Sequence, residues 1–323
     1  MTAMKPLDVV AIGLNVVDVL VALPKNIVHG EKHEVSELLV QGGAPAGTAA
    51  CGLAALGWRV GFLARFGPDA LSRLAHAELV DRGVSDALFL QDSEHQPAVA
   101  VVEIDADTGE RTVYYNLRKY RSLRASDVPR PAIESARLLL VDGYETQAAL
   151  AALQVAHSTG CKSVLDVEAG DPKTLREMIA LGTDTIMPLT AARALSECRE
   201  LKPALETLKT WTSGTIIVTD GRRGSWAITS SGILHQPAFA VPAIDTTGCG
   251  DSYHAAYACA LLDALDLDQR MEFASFVASR VAMVVGGRTG LPTRQSLAAD
   301  DLSSLSPRVR EYIFQARNKS QSS

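Results

Sequence analysis

Short, continuous apolar runs recur along this chain, separated by longer segments in which apolar residues follow a helical spacing. Asp8–Ile12, Val60–Ala64 and Leu138–Val141 are runs of this kind, bounded by polar residues or turn-forming segments. Such runs are typical of strands that are buried on both faces of a sheet. From residue 138 onward strands and helices alternate, which predicts a parallel sheet covered by helices on both faces.

The same pattern predicts the other elements of the alternation. Strands are expected at Ser163–Val167, Thr185–Met187, Thr215–Thr219 and Ser225–Thr229. Helices are expected up to Leu56, at Ala70–Arg82, Gln147–His157 and Pro172–Leu181, from Ala191 onward, and at Ser252–Leu265, Gln269–Val285 and Pro307–Arg317.

Two regions do not follow the alternation and predict a small separate sheet. Leu20–Val40 mixes apolar and charged residues without a helical stripe, which indicates irregular strands outside the main core. Further along, Pro97–Ile104 and Arg111–Tyr115 are strand-like runs joined by a segment with hairpin-turn residues. We expect these regions, about residues 20–41 and 95–120, to form a lid over a site.

Composition and charge narrow the class of protein. The chain has 323 residues, 47% of them hydrophobic, and a formal net charge of −6. We therefore expect no nucleic-acid partner, because general nucleic-acid binders carry a basic surface. Five scattered cysteines argue against disulfides or a zinc site and favour a cytoplasmic location. No uncharged run is long enough to cross a membrane. With no repeat or linker, residues 1–317 are expected to form one domain, followed by a flexible tail at 318–323.

The segment Asp245–Asp251 is the strongest candidate for chemistry. It reads Asp-Thr-Thr-Gly-Cys-Gly-Asp and comes directly before a predicted helix. Its glycines allow a sharp bend that gathers backbone N–H groups, and the helix adds unpaired N–H groups and the positive end of its dipole. These features predict an anion site, most often a phosphate site. Asp251 then either accepts the proton of an attacking hydroxyl or simply caps the helix.

Five other residues carry alternative interpretations. Asp18 follows the first strand and either holds substrate hydroxyls or is a surface turn acid. Gly42 and Gly43 precede a helix and either let a ligand approach the backbone or form a plain turn. We expect His254, in the predicted helix, to pack or cap rather than to act as an acid–base partner. We expect Cys249 to line the turn as a small residue rather than to serve as a nucleophile.

With these motifs the chain resembles the ribokinase-like, or PfkB-type, sugar kinases. Asp245–Asp251 is similar to the family's C-terminal signature DTxGAGD, with Cys249 in place of alanine. The segment from Gly42 to Asp69 is similar to the N-terminal signature. The resemblance extends from near the first strand to about Pro292. It implies a ribokinase-like three-layer α/β/α sandwich with a small β-sheet lid.

The resemblance also implies a set of roles. Asp251 would be the base, and the N–H groups of Gly248, Cys249 and Gly250 would stabilise charge on the transferring γ-phosphoryl group. The sugar would be held by Asp18, Gly42 and Gly43. ATP would be bordered by Thr219, Gly221, Gly224, Thr246 and Ser275, and Mg²⁺ would accompany it. Asp245 and Thr247 match positions that hold a monovalent cation, such as K⁺, in some members.

Three positions depart from the family pattern. Gly47 stands where many members have an asparagine that contacts the sugar. Ser275 stands where many have Asn or His beside the adenine. Pro188–Arg193 lacks the NxxE motif that supports the usual magnesium–water network.

Within the family, the chain is similar to the sulfofructose kinase branch. Lys32 lies where that branch has a lysine that contacts the sulfonate, and Asn116 lies within one position of its asparagine. Tyr144, however, stands where the branch has an arginine. The shared segments are Gly42–Ala46, Gln236–Phe239 and Gly286–Arg288 with Gly290.

The resemblance implies an ATP-dependent kinase acting on a primary hydroxyl of a ketose or furanose sugar, neutral or anionic. A nucleoside kinase of the same family and a nucleotide- or sugar-binding regulator without activity are the alternatives. The intact Asp251 and its neighbouring glycines argue against the regulator. If an edge strand of the lid contacts a second copy of the chain, the protein would be a homodimer.

Overall fold

The structure, a computed structural model, describes the backbone of residues 6–105 and 110–320 and the side chains of these residues up to 315. The strands in these ranges are β1 Val9–Ile12, β2 Val16–Leu23, β3 Leu38–Gly43, β4 Val60–Phe66, β5 Phe89–Gln91, β6 Ala98–Asp105, β7 Arg111–Asn116, β8 Leu138–Asp142, β9 Lys162–Asp166, β10 Asp184–Pro188, β11 Thr215–Thr219, β12 Ser225–Thr229 and β13 Gly232–Gln236. The helices are α1 Pro45–Ala55, α2 Ala70–Asp81, α3 Arg130–Ser135, α4 Thr146–Thr159, α5 Pro172–Leu181, α6 Leu189–Ser196, α7 Leu201–Lys209, α8 Cys249–Leu262, α9 Leu267–Val281, α10 Arg294–Ala298 and α11 Pro307–Ser320.

A large mixed sheet runs through the middle of the fold. In the described part of the chain it has nine strands, in the order β13-β12-β11-β10-β9-β8-β1-β4-β5. The strands from β11 to β5 are parallel, and β12 and β13 are antiparallel to their neighbours. Every residue of β1 is fully buried, because a parallel strand in this position is covered on both faces. The predicted parallel sheet is confirmed.

Helices cover both faces of this sheet. The first face packs against α1, α8, α9 and α11, and the second against α4, α5, α6 and α7. Helix α8 is buried around nearly its whole circumference, and it packs on α1 and α9. A Cβ atom on Gly52 of α1 would lie 2.8 Å from the Cβ of Ala255 in α8. Small residues therefore let the two helices approach closely and fix the first turn of α8 beside the sheet.

A second sheet, in the order β3-β2-β6-β7, has the position predicted for the lid. Strand β2 is antiparallel to β3 and parallel to β6, and β6 pairs antiparallel with β7. The predicted hairpin strands are therefore present, although residues 106–109 of the predicted turn lie outside the described residues. Because β2 begins at Val16, Asp18 lies inside a strand and only 8% of it is exposed. The surface-turn interpretation of Asp18 is wrong.

Other elements depart from the sequence expectations. Strands β5 and β13 and helix α7 were not predicted, and β13 has no continuous apolar run because it is an exposed edge strand. Helix α11 continues to Ser320, three residues beyond the predicted end at Arg317. Within the described residues, none of the helices combines the length and apolar character needed to span a membrane.

Candidate active site

The turn before α8 has the geometry of an anion site. Gly248 has φ 76°, and a Cβ there would lie 2.5 Å from the Cα of Gly287, so only glycine fits. The amide of Cys249, which the resemblance places among those that stabilise the γ-phosphoryl group, instead donates to the carbonyl of Thr246 over 3.3 Å. A Cβ on Gly250 would meet no atom within 4 Å, which leaves open space in front of the turn. The amide of Ser252 already donates to the carbonyl of Gly248 over 2.8 Å. First-turn amides of a helix have no intrahelical acceptor, so the amides of Gly250 and Asp251 are the ones left for a ligand.

Asp251 lies in the first turn of α8, and most of its surface is buried. Burial is the main reason why its pKa is raised from the ordinary value to about 7. The neighbouring carboxylates of Glu168 and Asp18 raise this pKa further, while the charges of Arg111 and Arg288 lower it. Two acids from other elements, Asp18 in β2 and Glu168 just after β9, therefore lie close enough to Asp251 to affect its ionisation. A carboxyl with a pKa near neutrality suits a general base.

Asp18 and the two predicted glycines lie together on the paired strands β2 and β3. Burial raises the pKa of Asp18 to about 6. A Cβ on Gly43 would overlap the Asp18 carboxylate, so the glycine lets the backbone lie directly against this acid. The amide of Gly42 donates to Glu78 Oε2, and this contact fixes the peptide plane. The two glycines thus make room for protein side chains, Asp18 beside Gly43 and Glu78 beside Gly42; the approach of a ligand to this backbone stays a prediction.

Asp245 connects the turn to the loop after α9. Its carboxylate is fully buried and accepts two backbone N–H groups, from Thr247 and from Gly286, each over 2.8 Å. Among the described residues, the Thr247 hydroxyl is buried without a hydrogen-bond partner. Oxygen donors of this kind fit an alkali cation, so the pair predicted from the resemblance has suitable chemistry.

The residues expected beside ATP lie at the end of β11, in the loop after it, in the turn before α8 and in α9. Thr219 ends β11, and Gly221 and Gly224 follow with positive φ angles of 48° and 92°. A Cβ on Gly224 would overlap the backbone at residues 236–238. The hydroxyl of Ser275, in α9, donates to the carbonyl of Pro237 over 3.4 Å. These contacts bring the end of β11, the β12–β13 hairpin and α9 together; that ATP binds beside them stays a prediction.

A contact that the sequence analysis missed joins the lid to the turn. The Nη1 atom of Arg111, the first residue of β7, lies 3.1 Å from the carbonyl oxygen and 3.3 Å from the hydroxyl of Thr246. Its charge also lowers the pKa of both Asp18 and Asp251. The predicted hairpin includes the strand that carries Arg111. No local sequence pattern, however, indicates that Arg111 contacts Thr246, 135 positions away.

The two residues taken from the sulfofructose kinase branch lie away from this arrangement. Lys32 is exposed on the connection between β2 and β3. Asp18 lies in one row across the small sheet with Ala100 of β6, whereas Asn116 lies in the next row, opposite Val99. Because neighbouring rows of a sheet point to opposite faces, Asn116 and Asp18 are on different faces. Tyr144 donates to Glu168 Oε2 over 3.0 Å. None of the described contacts joins Lys32 or Asn116 to Asp18.

Cys249 and His254 behave as packing residues. Burial raises the pKa of the Cys249 thiol to about 12, so the thiolate needed for a nucleophile does not form at neutral pH. His254 Nδ1 lies 2.7 Å from the carbonyl of Gly250, and Nε2 lies 3.4 Å from that of Ile186 and 3.5 Å from Asp166 Oδ1. The imidazole therefore ties the first turn of α8 to β9 and β10, and burial lowers its pKa.

Comparison with known proteins gives a consistent result. The model of the pfkB family carbohydrate kinases matches residues 7–294. The chain is 24% identical over 313 residues to 5-dehydro-2-deoxygluconokinase of Bacillus subtilis (strain 168), which covers 91% of this chain and 95% of that protein.

Solved structures share the fold. A putative ribokinase from Agrobacterium tumefaciens has a TM-score of 0.80 at 24% identity, over 96% of this chain and 98% of that chain. Arabidopsis thaliana ribokinase, complexed with ribose and ATP, has a TM-score of 0.78 at 20% identity, over 94% of this chain and 100% of that chain. The fold is therefore ribokinase-like. Because the family match spans most of its length, the chain belongs to the pfkB family of carbohydrate kinases, phosphotransferases that act on a sugar hydroxyl.

Proposed function

We propose that this sugar kinase transfers the γ-phosphoryl group of ATP to a primary hydroxyl of a ketose or furanose sugar, with Asp251 as the base. One observation carries the proposal: Asp251 stands in the first turn of α8, directly after the glycine-flanked turn, where the amides of Gly250 and Asp251 find no backbone acceptor among the described residues. Burial also raises its pKa to about 7. At pH 7 about half of such a carboxyl is ionised and able to accept the hydroxyl proton as the oxygen attacks. Asp18, whose charge raises the pKa of Asp251, would hold another hydroxyl of the same sugar.

The first turn of α8 would stabilise the transferred group. The amides of Gly250 and Asp251 and the positive end of the helix dipole favour an anion at this position. A well-placed donor of this type typically lowers the barrier by about 3 kcal/mol. The open space in front of Gly250 supports this role, as does the charge of Arg111 near the turn.

ATP would lie against five residues: Thr219, Gly221, Gly224, Thr246 and Ser275. A magnesium ion bound to its phosphates would neutralise part of their charge. Glu168 is an exposed carboxylate whose charge reaches Asp251, and it suits an ion that keeps several of its waters. Asp245 and Thr247 would hold K⁺ where the enzyme uses a monovalent cation.

The outer face of the small sheet supports a homodimer. Val40, Val19, Val101 and Tyr114 form one row across the four strands, and all but Val19 are exposed. Opposed residues of neighbouring strands point to one face, so this row is an apolar stripe. We expect sedimentation to show a dimer that Val101→Glu converts to a monomer. Phe314→Glu, at an exposed apolar residue of α11, is the matched control and should leave the dimer intact.

The test is ADP release with a panel of acceptors. The panel contains ketoses, furanoses, anionic ketoses with a sulfonate, 5-dehydro-2-deoxygluconate, adenosine and inosine. 5-dehydro-2-deoxygluconate is included because two similar proteins are named 5-dehydro-2-deoxygluconokinase. Turnover on a sugar supports the proposal, turnover on nucleosides alone supports a nucleoside kinase, and no turnover with any acceptor contradicts both.

A pair of variants tests the mechanism. Asp251→Asn should lower kcat by roughly 10²–10⁴, the range for loss of a general base. Asp268→Asn removes an exposed acid from the first turn of the neighbouring helix α9 and should leave kcat unchanged. Full turnover in Asp251→Asn would contradict the assignment of the base.

A further inference from the structure

The segment Gly286–Arg288 touches both halves of the active site. Its first residue donates its amide to the carboxylate of Asp245 over 2.8 Å. Its second residue, Gly287, packs closely against Gly248: a Cβ on Gly248 would lie 2.5 Å from the Cα of Gly287, and a Cβ on Gly287 would lie 3.1 Å from the Cα of Gly248. The backbone just before Arg288 is therefore fixed on the phosphoryl-transfer turn.

The side chain of Arg288 extends from there to the acceptor side. Only 1% of Arg288 is exposed. Its Nη2 atom donates to the carbonyl of Gly43 over 2.7 Å, and its Nε atom donates to the Thr48 hydroxyl over 3.2 Å. Its Nη1 atom lies 3.4 Å from Glu78 Oε2, the same oxygen that accepts the amide of Gly42. The guanidinium and Glu78 thus hold both ends of the Gly42–Gly43 segment.

The guanidinium also fills the volume beside two glycines. A Cβ on Gly42 would overlap Nη1, and a Cβ on Gly47 would lie 2.8 Å from Nη2. The Cβ on Gly47 would also lie 3.6 Å from the ring of Phe62, which is an ordinary van der Waals distance. Arg288 therefore occupies the space that a side chain at position 47 would need. This gives a physical reason for glycine at that position.

We propose that Arg288 is a positioning residue of the acceptor site, which fixes the Gly42–Gly43 backbone against Asp18 and so determines which sugars fit. The role rests on the proposed function, in which Asp18 and the glycines bind the acceptor. It requires the planar fork of an arginine, because three separate acceptors are bonded in one plane. A lysine has the charge but cannot reproduce these directions.

The surrounding network explains how the cation is tolerated in the interior. Glu78 also receives Arg82 Nε on its other oxygen over 2.9 Å, and Arg82 Nη1 donates to the carbonyl of Arg288 over 2.8 Å. Both oxygens of Glu78 are thus bonded. Because removal of one partner from a buried pair is strongly destabilising, the test uses Arg288→Lys rather than an alanine variant.

The first experiment separates the two substrates by their KM values. In Arg288→Lys, the KM for the acceptor sugar should rise at least tenfold while the KM for ATP changes less than twofold. The matched control is Arg294→Lys, at a second largely buried arginine, which bonds Asp263 over 3.2 Å. That variant should lower the melting temperature without changing the acceptor KM. An unchanged acceptor KM in Arg288→Lys overturns the proposal.

The second experiment needs no substrate. Gly47 lies in the first turn of α1 with a helical backbone, where alanine is intrinsically preferred to glycine. Gly47→Ala should lower the melting temperature in the natural chain, because the new methyl group meets Arg288 Nη2. In the Arg288→Lys background it should raise the melting temperature. Additive shifts in the two backgrounds overturn the proposal.

The two experiments also separate failure of this role from failure of the proposed function. If the natural chain turns over no acceptor, the proposed function fails. The melting temperatures of the Gly47→Ala and Arg288→Lys variants then still test whether Arg288 fills the space beside Gly47. If it turns over a sugar but the cycle is additive, only the role of Arg288 fails.

Discussion

Ala44, between β3 and α1, stores backbone strain beside the acceptor site. It has φ 69° and ψ 154°, a region that is essentially restricted to glycine. It follows Gly43, whose carbonyl bonds Arg288, and precedes Pro45, which restricts its conformation further. We therefore predict that Ala44→Gly stabilises the fold and loosens the acceptor site.

The size of the effect follows from two opposing terms. A residue in this region costs about 1–3 kcal/mol, which glycine would largely relieve. Glycine also gives the unfolded chain more freedom, which costs about 0.4–1 kcal/mol of stability. The free energy of unfolding should therefore rise by about 1 kcal/mol. In a chain of this size the corresponding rise in melting temperature is about 2 °C.

Urea unfolding with unchanged m-value measures this gain. The matched control is Ala264→Gly, because Ala264 also has a positive φ, 58°, but lies outside the acceptor site. The Ala264→Gly variant should also be more stable than the natural chain, and its acceptor KM and kcat should be unchanged. In Ala44→Gly the acceptor KM should rise, since Gly43 loses a rigid neighbour. A loss of stability in Ala44→Gly would refute the strain argument.

Two further predictions follow from the charges of the site. Because burial raises the folded-state pKa of Asp251 to about 7, the folded protein binds this proton more tightly than the unfolded chain, and stability is lost as pH rises from about 4 to 7. The advantage of Asp251→Asn over the natural chain in free energy of unfolding should therefore be about 3 kcal/mol larger at pH 8 than at pH 4.5, as measured by urea unfolding; an equal difference at both pH values would contradict this. Arg111→Met should lower kcat at least tenfold, because the lid loses its contact with Thr246 and the turn loses a nearby positive charge, whereas Arg118→Met, at an exposed residue beyond β7, should not. Steady-state kinetics measures both variants, and an unchanged kcat in Arg111→Met would remove the lid contact from the mechanism.

The parts of the site that the sequence predicts are those formed by neighbouring residues. Asp245–Asp251 contains its own bend and helix start, so the anion site follows from local chemistry. The apolar run of β1 likewise predicts a buried parallel strand, because its burial depends on residue type more than on a distant partner.

The parts that the sequence did not reveal depend on distant pairs. Arg288 bonds Gly43, 245 positions away, and Arg111 bonds Thr246, 135 positions away. Glu78 lies on an amphipathic helix, where an acid ordinarily faces water. No periodicity or spacing shows that this carboxylate accepts the amide of Gly42. Glycine at position 47 was visible as a departure, but its cause became visible only with the fold.

The pH dependence of kcat/KM for the acceptor tests the role of Asp251 most directly. This parameter reports the ionisation of the free enzyme. With a pKa of about 7 for Asp251, we predict that kcat/KM falls about tenfold per pH unit well below pH 7 and that Asp251→Asn lacks this limb. A profile of the natural enzyme that stays flat between about pH 5.5 and 8 would contradict the assignment of Asp251 as the base.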